Sequence, residues 1–272
     1  MAFNLDDYLK RSVYMQYTSI LLNKKDNIGI VTLNRPEYNN TFNVPLATEL
    51  NQALKELEKD QDVNVIVVNA NGDNFCTGID VNDLEGKSNA EYLKWVTLME
   101  EMNVTIASMG KPVIASVHKI AVANGIGLVA ACDLAIAAEN AKFGATAVNV
   151  GLFCMGPAVP LLKSLGRKKT LELVMTGELI DAYEAQRIGL VNRVVPTEKL
   201  AEETMKFAAK LAKKSPLALQ LGKQSFYKME DLAYKAALDL TNNHFATLCT
   251  TEDAHEGVDA FLNKREPVWQ KK

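Results

Sequence analysis

The sequence predicts an α/β fold that ends in an all-helical third. Short β-branched runs alternate with segments of helical period over the first two thirds, whereas from Lys163 onward helical spacing alone recurs. No linker, repeat or low-complexity run separates the halves, so one folded unit is expected, with residues 1–200 as core and 201–272 as a helical region suited to self-association. The 272 residues are enough for a sizeable core, and 48% hydrophobic with 23% charged residues is ordinary globular composition. A net charge of -3 argues against a nucleic-acid partner but leaves room for a local basic patch that meets a phosphorylated small molecule.

Alternation and β-branched enrichment predict strands at Ile28 to Leu33, Val63 to Asn69, Val113 to Val117 and Leu134 to Ala138, because branched side chains fit a pleated surface. Leu46, Leu50, Leu54 and Leu57 recur at helical spacing and predict a helix from Leu46 to Lys59; the same period predicts another from Ala90 to Met109. Turns are marked at Arg35-Pro36 and Gly156-Pro157. In the last third the period predicts helices at Lys168 to Met175, Asp181 to Ile188, Glu198 to Lys213, Leu217 to Lys228 and Leu232 to Leu248.

Cys76, Cys132, Cys154 and Cys249 are widely spaced, with no CxxC pair and no histidine at ligand spacing, so neither a metal site nor a disulfide scaffold is expected. The start, MAFNLDDYLKRS, is acidic and lacks an apolar h-region, and no run approaches the length of a membrane helix. A reducing, cytoplasmic setting is expected.

Two glycine loops follow buried strands. In the first, VIASV leads through His118 and Lys119 to Asn124-Gly125-Ile126-Gly127 and straight into a helical LVAAC; glycine lets the backbone approach a ligand, and the helix start aims free amides at an anion. Gly125, Gly127 and Ala130 also satisfy a dinucleotide-type G-x-G-x-x-A pattern, but Glu139 follows too soon for the full crossover helix such a unit needs. The second loop, Asn71 to Asp80, follows VIVVN. Together the loops could present two backbone amides to one carbonyl oxygen, the arrangement of an oxyanion hole.

Five segments in order resemble the successive motifs of the enoyl-CoA hydratase/isomerase (crotonase) superfamily: IVTLNRPEYNNTFN, VIVVNANGDNFCTGID, KPVIASVHKIAVANGIGLVAACDLAIAAENAKFG, TGELIDAYEAQRIGLVNRVVP and EGVDAFLNKREPVW. The resemblance implies a spiral of repeated ββα units with a C-terminal helical trimerisation region, assembled as a homotrimer or homohexamer. It implies an acyl-CoA thioester as substrate, with coenzyme A entering only as part of it and no separate cofactor. The backbone amides of Ile79 and Asn124 would hold the thioester oxygen, Asn124 standing where the family usually has glycine. Ile79, Asp80, Val81 and Asn82 would line the CoA arm, and Phe261 and Lys264 would flank its nucleotide end. Tyr38-Asn39 stands where relatives commonly carry Lys or Arg.

The resemblance also places Gly127 and Ala147 at the two positions where hydratases of this family carry glutamates, and Ala147 to Cys154 is similar to a hydratase-domain-containing subgroup that departs from the pair. Each general acid or base typically contributes about 100- to 10,000-fold, so ordinary enoyl-CoA hydration is not expected. Asp133 and Glu139 are the nearest carboxylates along the chain and fall beyond the short helix; Thr146, Asn149, Cys154 and His118 are weaker candidates to replace the pair. Decarboxylation or carbon–carbon cleavage, which needs only the enolate stabilised, is favoured. Isomerisation or slow hydration with a substrate-held or loop-supplied group comes second, and a CoA-ester-binding protein without turnover is the rival from another class.

Overall fold

The computed structural model describes residues 17–272, and the reading of MAFNLDDYLKRS concerns residues outside that range. Strands β1 (Ile20–Lys25) and β2 (Ile28–Leu33) pair antiparallel through the two-residue turn Asp26-Asn27, both at positive φ, the turn whose twist suits a hairpin. β3 (Val65–Ala70), β4 (Val113–Val117), β6 (Leu134–Ala138) and β9 (Arg193–Val195) continue the sheet in parallel, giving the order β1-β2-β3-β4-β6-β9. A smaller sheet joins β5 (Ile120–Val122), β7 (Lys142–Gly144) and β8 (Ile180–Asp181) in the order β5-β7-β8.

The two sheets form a spiral. Each long strand is followed by a short extended piece in a second layer and then by a helix. After β2 the short piece is Phe42, bridged to Ile79, followed by α1 (Val44–Lys59). After β3 come Cys76, bridged to Ala121, and Ile79, then α2 (Asn89–Ser108), begun by a capping box of Ser88 and Glu91. After β4 come β5 and α3 (Asn124–Ala131), and after β6 come β7 and α4 (Met155–Leu165). These are the repeated ββα units expected from the sequence. α5 (Arg167–Thr176) and α6 (Ala182–Arg187) lead to β9; α7 (Leu200–Ala212), α8 (Pro216–Met229), α9 (Tyr234–Cys249) and α10 (Glu252–Leu262) complete a helical C-terminal region.

Both faces of the parallel strands are covered, which is why VIVV in β3 is continuously apolar. Ile66 and Val68 join Leu46, Leu50 and Leu54 of α1 and Met99 and Met102 of α2 in the main core. Val65 and Val67 face the other way, with Ile28, Ile114 and Ala208 of α7. Asp133, just before β6, ties the helical region to this sheet: its carboxylate accepts the Val113 amide (2.7 Å), the Tyr227 hydroxyl (2.9 Å) and the Lys223 ammonium (2.7 Å), both latter residues on α8.

Candidate functional site: two loops and a half-buried carboxylate

The two glycine loops meet. The Cys76 amide donates to the Ile120 carbonyl and the Val122 amide to the Cys76 carbonyl, each at 3.0 Å, so the second loop is laced to β5 as a strand would be. Gly125 fits beneath it: a Cβ there would lie 2.2 Å from the Cys76 carbonyl oxygen. Gly78, at φ +107°, rests against the other loop, where an added Cβ would fall 2.8 Å from the Ala123 Cβ and 3.9 Å from the Asn124 nitrogen. The Ile79 and Asn124 amides become neighbours through this contact. The flanking amides of Phe42 and Asp80 pair across the Phe42–Ile79 bridge, which turns the Ile79 N–H away from it, and the Asn124 N–H opens α3. Among the described residues neither amide donates to a protein acceptor. Two such groups, one of them at a helix start, can stabilise negative charge on a carbonyl oxygen.

Ala123 aims the Asn124 amide at a conformational cost. Its φ of +50° and ψ of -116° belong to a region that residues with a Cβ rarely adopt. Such positions cost about 1–3 kcal/mol. Replacing Ala123 with glycine is expected to raise stability by about 1 kcal/mol once glycine's greater unfolded freedom is set against the relieved strain, read as a higher urea midpoint at unchanged slope.

The remaining residues named from sequence take separate places. Asp80 is buried and committed to structure: it accepts from the Arg35 guanidinium (3.1 Å) and from the Asn82 side chain (2.9 Å). Burial acts to raise its pKa, but Arg35 and Asn82 override this and hold it below the usual carboxylate range. Val81 and Asn82 are exposed beside it, so Ile79 to Asn82 form one continuous edge. Phe261 and Lys264 lie exposed at the end of α10, and Lys264 enters no ion pair among the described residues. Asn39, in the Tyr38-Asn39 pair, serves the second loop by accepting from the Asn74 carboxamide at 2.9 Å. His118 contacts the Gly72 carbonyl at 3.0 Å, the hydrogen-bonding role of a loop tie. Asn149 is exposed and donates to the Gly177 carbonyl, while Thr146 is half-buried. Trp95 and Met99 are buried, Tyr92 is half-buried and Met155 is exposed.

One functional candidate was missed from the sequence. Glu100 of α2 reaches the first loop, where its Oε1 accepts from the Asn124 carboxamide at 2.9 Å and its Oε2 from Asn103 at 2.6 Å. A Cβ on Gly156 would stand 2.2 Å from this carboxylate, so the group lies flat on the α4 main chain. Next along α4, Pro157 covers Gly127, where an added Cβ would be 3.0 Å from the proline ring. Burial drives Glu100 up from 4.5 to about 7 against the opposing pull of both amides. Cys154 is buried alongside; burial and the Glu100 charge raise its thiol, opposed by the Ala147 amide. Asp133 and Glu139 were the carboxylates nearest in sequence, but Glu100 is the one that the fold brings to the loop.

The raised pKa makes a stability prediction. Glu100 binds its proton more tightly folded than unfolded, so its favourable contribution is complete below pH 4.5 and lost as pH rises through about 7. Glu100→Gln, neutral at every pH, is therefore expected to match the parent at pH 4 and to exceed it by about 2 kcal/mol at pH 8, the full shift being discounted for partial exposure. Thermal unfolding at the two pH values checks this.

An α/β spiral whose loops bring two unpaired main-chain donors together defines the class of fold, and the comparisons say which family it belongs to. The family description "Enoyl-CoA hydratase/isomerase" matches residues 23–272. The chain is 36% identical over 247 residues to the rat enoyl-CoA hydratase domain-containing protein 3, mitochondrial, covering 90% of this chain and 82% of that one. It is 33% identical over 251 residues to 2,3-dehydroadipyl-CoA hydratase of Escherichia coli, covering 92% and 98%. The crystal structure of human enoyl-CoA hydratase domain-containing protein 3 superposes with a TM-score of 0.89 at 35% identity, covering 93% of this chain and 100% of that chain. An enoyl-CoA hydratase from Mycobacterium smegmatis superposes with a TM-score of 0.90 at 35% identity, over 93% and 99%. The chain belongs to the enoyl-CoA hydratase/isomerase family, of the crotonase superfamily.

Proposed function

We propose that this protein binds an acyl-CoA thioester with its carbonyl oxygen on the Ile79 and Asn124 amides and stabilises the thioester enolate there. The observation that carries this is the pair of amides left without a protein acceptor where Gly78 meets Ala123 and Asn124. Gly127 and Ala147, at the positions the family resemblance assigns to the hydratase glutamates, have no ionisable side chain. The proposed chemistry is therefore made or broken at the α-carbon: decarboxylation, carbon–carbon cleavage or isomerisation, with coenzyme A present only as part of the substrate. The Ile79 to Asn82 edge receives the CoA arm, and Phe261 and Lys264 its nucleotide end. Mass spectrometry of the protein with enoyl-, 3-hydroxyacyl- and malonyl-type thioesters tests the reading. Conversion of a malonyl-type thioester supports it, binding without any conversion supports a non-catalytic CoA-ester binder, and hydration of an enoyl thioester at ordinary hydratase rates overturns the proposed chemistry.

The proposal includes a homotrimer, or a hexamer built from trimers. α9 buries none of its residues within the chain, Tyr234, Leu238 and Phe245 are exposed on it, and Phe226 is exposed on the neighbouring α8. Faces of this kind mark association sites. Sedimentation equilibrium yielding a monomer mass would remove this part. Among the described residues no helix is long and apolar enough to cross a membrane. A reducing compartment, the cytoplasm, is proposed on the four unpaired cysteines, and imaging of the tagged full-length chain tests it.

A further inference from the structure

We infer that Glu100 is the acid–base group of this site, exchanging a proton with the α-carbon of a thioester whose oxygen rests on the Ile79 and Asn124 amides. The inference depends on the enolate reading above and adds the group that handles its proton.

Asn124 connects the two functions. Its main-chain N–H is one of the two unpaired donors, and its side chain donates to Glu100 at 2.9 Å, so the residue that holds the thioester oxygen also holds the carboxylate. The α-carbon is bonded to the carbonyl carbon and cannot be far from either. Gly156 leaves room for the carboxylate, and Pro157 fills the space at Gly127 that a side chain on α3 would use. A carboxylate brought in from α2 thus lies on α4 next to the place where Pro157 crowds any side chain at Gly127 of α3.

The buried carboxylates, and Asp133 with a side chain 14% exposed, have structural partners. Glu49 accepts the main-chain amides of Thr18 and Ser19 and anchors the start of β1. Asp253 accepts the amides of Gln270 and Lys271, Asp80 is paired with Arg35 and Asp133 with Lys223. Glu100 has neither a main-chain donor nor an ion-pair partner among the described residues; two carboxamides orient it and leave its charge uncompensated. A half-buried carboxylate without a cation is still costly, and such groups concentrate where proton transfer is needed. The titratable group facing it from α4 is the Cys154 thiol, itself raised and neutral near pH 7, while α3 contributes the neutral Asn124. A pKa of about 7 then gives comparable amounts of acid and base at neutral pH.

As a base, the Glu100 carboxylate takes the α-proton; the C–H electron pair becomes the carbon–carbon π bond of the enolate, and the carbonyl π pair moves to the oxygen held by the two amides. In reverse, the protonated carboxyl gives its proton to the α-carbon of an enolate left by decarboxylation or carbon–carbon cleavage, and the carboxylate is regenerated. A single group suffices for either direction.

The test needs no knowledge of the physiological acyl group. Butanoyl-CoA is incubated with the full-length protein in D2O, deuterium at the α-carbon is followed by mass spectrometry, and binding is measured separately by calorimetry. The parent protein is expected to catalyse exchange at a rate that climbs with pH and levels off above about 7, the base form being required. Glu100→Gln should bind within a few-fold of the parent and exchange at least about 100-fold more slowly. Asn103→Ala, which removes a donor that favours the charged form, should shift the midpoint of the pH profile upward, a change that a purely structural role would not produce. Binding by the parent without exchange, or parental exchange rates in Glu100→Gln, overturns the role of Glu100 and leaves the oxyanion site standing. Absence of binding by the parent overturns the site and this inference with it.

Discussion

Gly125→Ala is expected to destabilise the protein by about 3 kcal/mol and to abolish thioester binding, because the new methyl has no room that a rotamer change could provide. It would lie 2.2 Å from the Cys76 carbonyl oxygen and 3.0 Å from the carbonyl carbon, and that carbonyl already accepts the Val122 amide. Relief requires the two loops to separate, which carries the Ile79 amide away from the Asn124 amide. A matched control lies in the same chain. Gly222 sits inside α8 with nothing within 4 Å of an added Cβ, so Gly222→Ala should stabilise by about 1 kcal/mol through helix propensity and leave binding untouched. Urea unfolding and calorimetric titration of both variants with butanoyl-CoA separate the effects; equal binding by the two would show that the loop contact does not set the amide pair.

Lys223→Met should cost about 3–5 kcal/mol at pH 8, the usual penalty for leaving one member of a buried pair uncompensated. Lys223 and Asp133 side chains are 7% and 14% exposed, and no other cation replaces the ammonium at 2.7 Å among the described residues. Burial already raises Asp133 even with Lys223 beside it, so without the cation the carboxyl will take up a proton more readily. The folded-state pKa rises further above the unfolded one, and the penalty is therefore smaller at pH 5 than at pH 8. Asp133→Asn on the Lys223→Met background should recover most of the loss at pH 8, since the carboxamide can still accept from Val113 or Tyr227. Failure of the second substitution to recover stability would place the cost in packing of α8.

The long parallel strands were legible because burial on both faces writes itself as an unbroken apolar run. β2, β4 and β6 begin and end where the sequence predicts, and α1 and α2 lie within two residues of prediction. β5, β7 and β9 are three residues each, too short for any period, and their pairing depends on neighbours from other turns of the spiral. α4 carries Pro157 and Pro160, which argue for a turn; Pro157 is tolerated in the first turn, where its missing N–H has no helical partner to lose. The two loops were legible because glycine loops after strands are a local signal, whereas the assignment of the Ile79 and Asn124 amides came from the family resemblance. Glu100 was not legible: beside Glu101, on a helix with a solvated face, it reads as ordinary surface charge, and its site exists only where α2, α3 and α4 converge. Asn124 was the single hint, a polar side chain where a bare backbone was expected and hence one that needed a partner.

The lacing of the Asn71–Asp80 loop to β5 has a further consequence. The donors proposed to face the thioester belong to peptide units, and their direction is set by bridges between successive turns of the spiral. Side chains enter only where they must be missing, at Gly78 and Gly125. A chain built this way can exchange the groups surrounding an enolate, moving a proton donor from one helix to another, while the electrostatic fixture at the centre stays the same. On the proposed reading, the division of labour separates what must be rigid from what can be rewritten: the backbone would hold the charge, and the helices would choose the reaction.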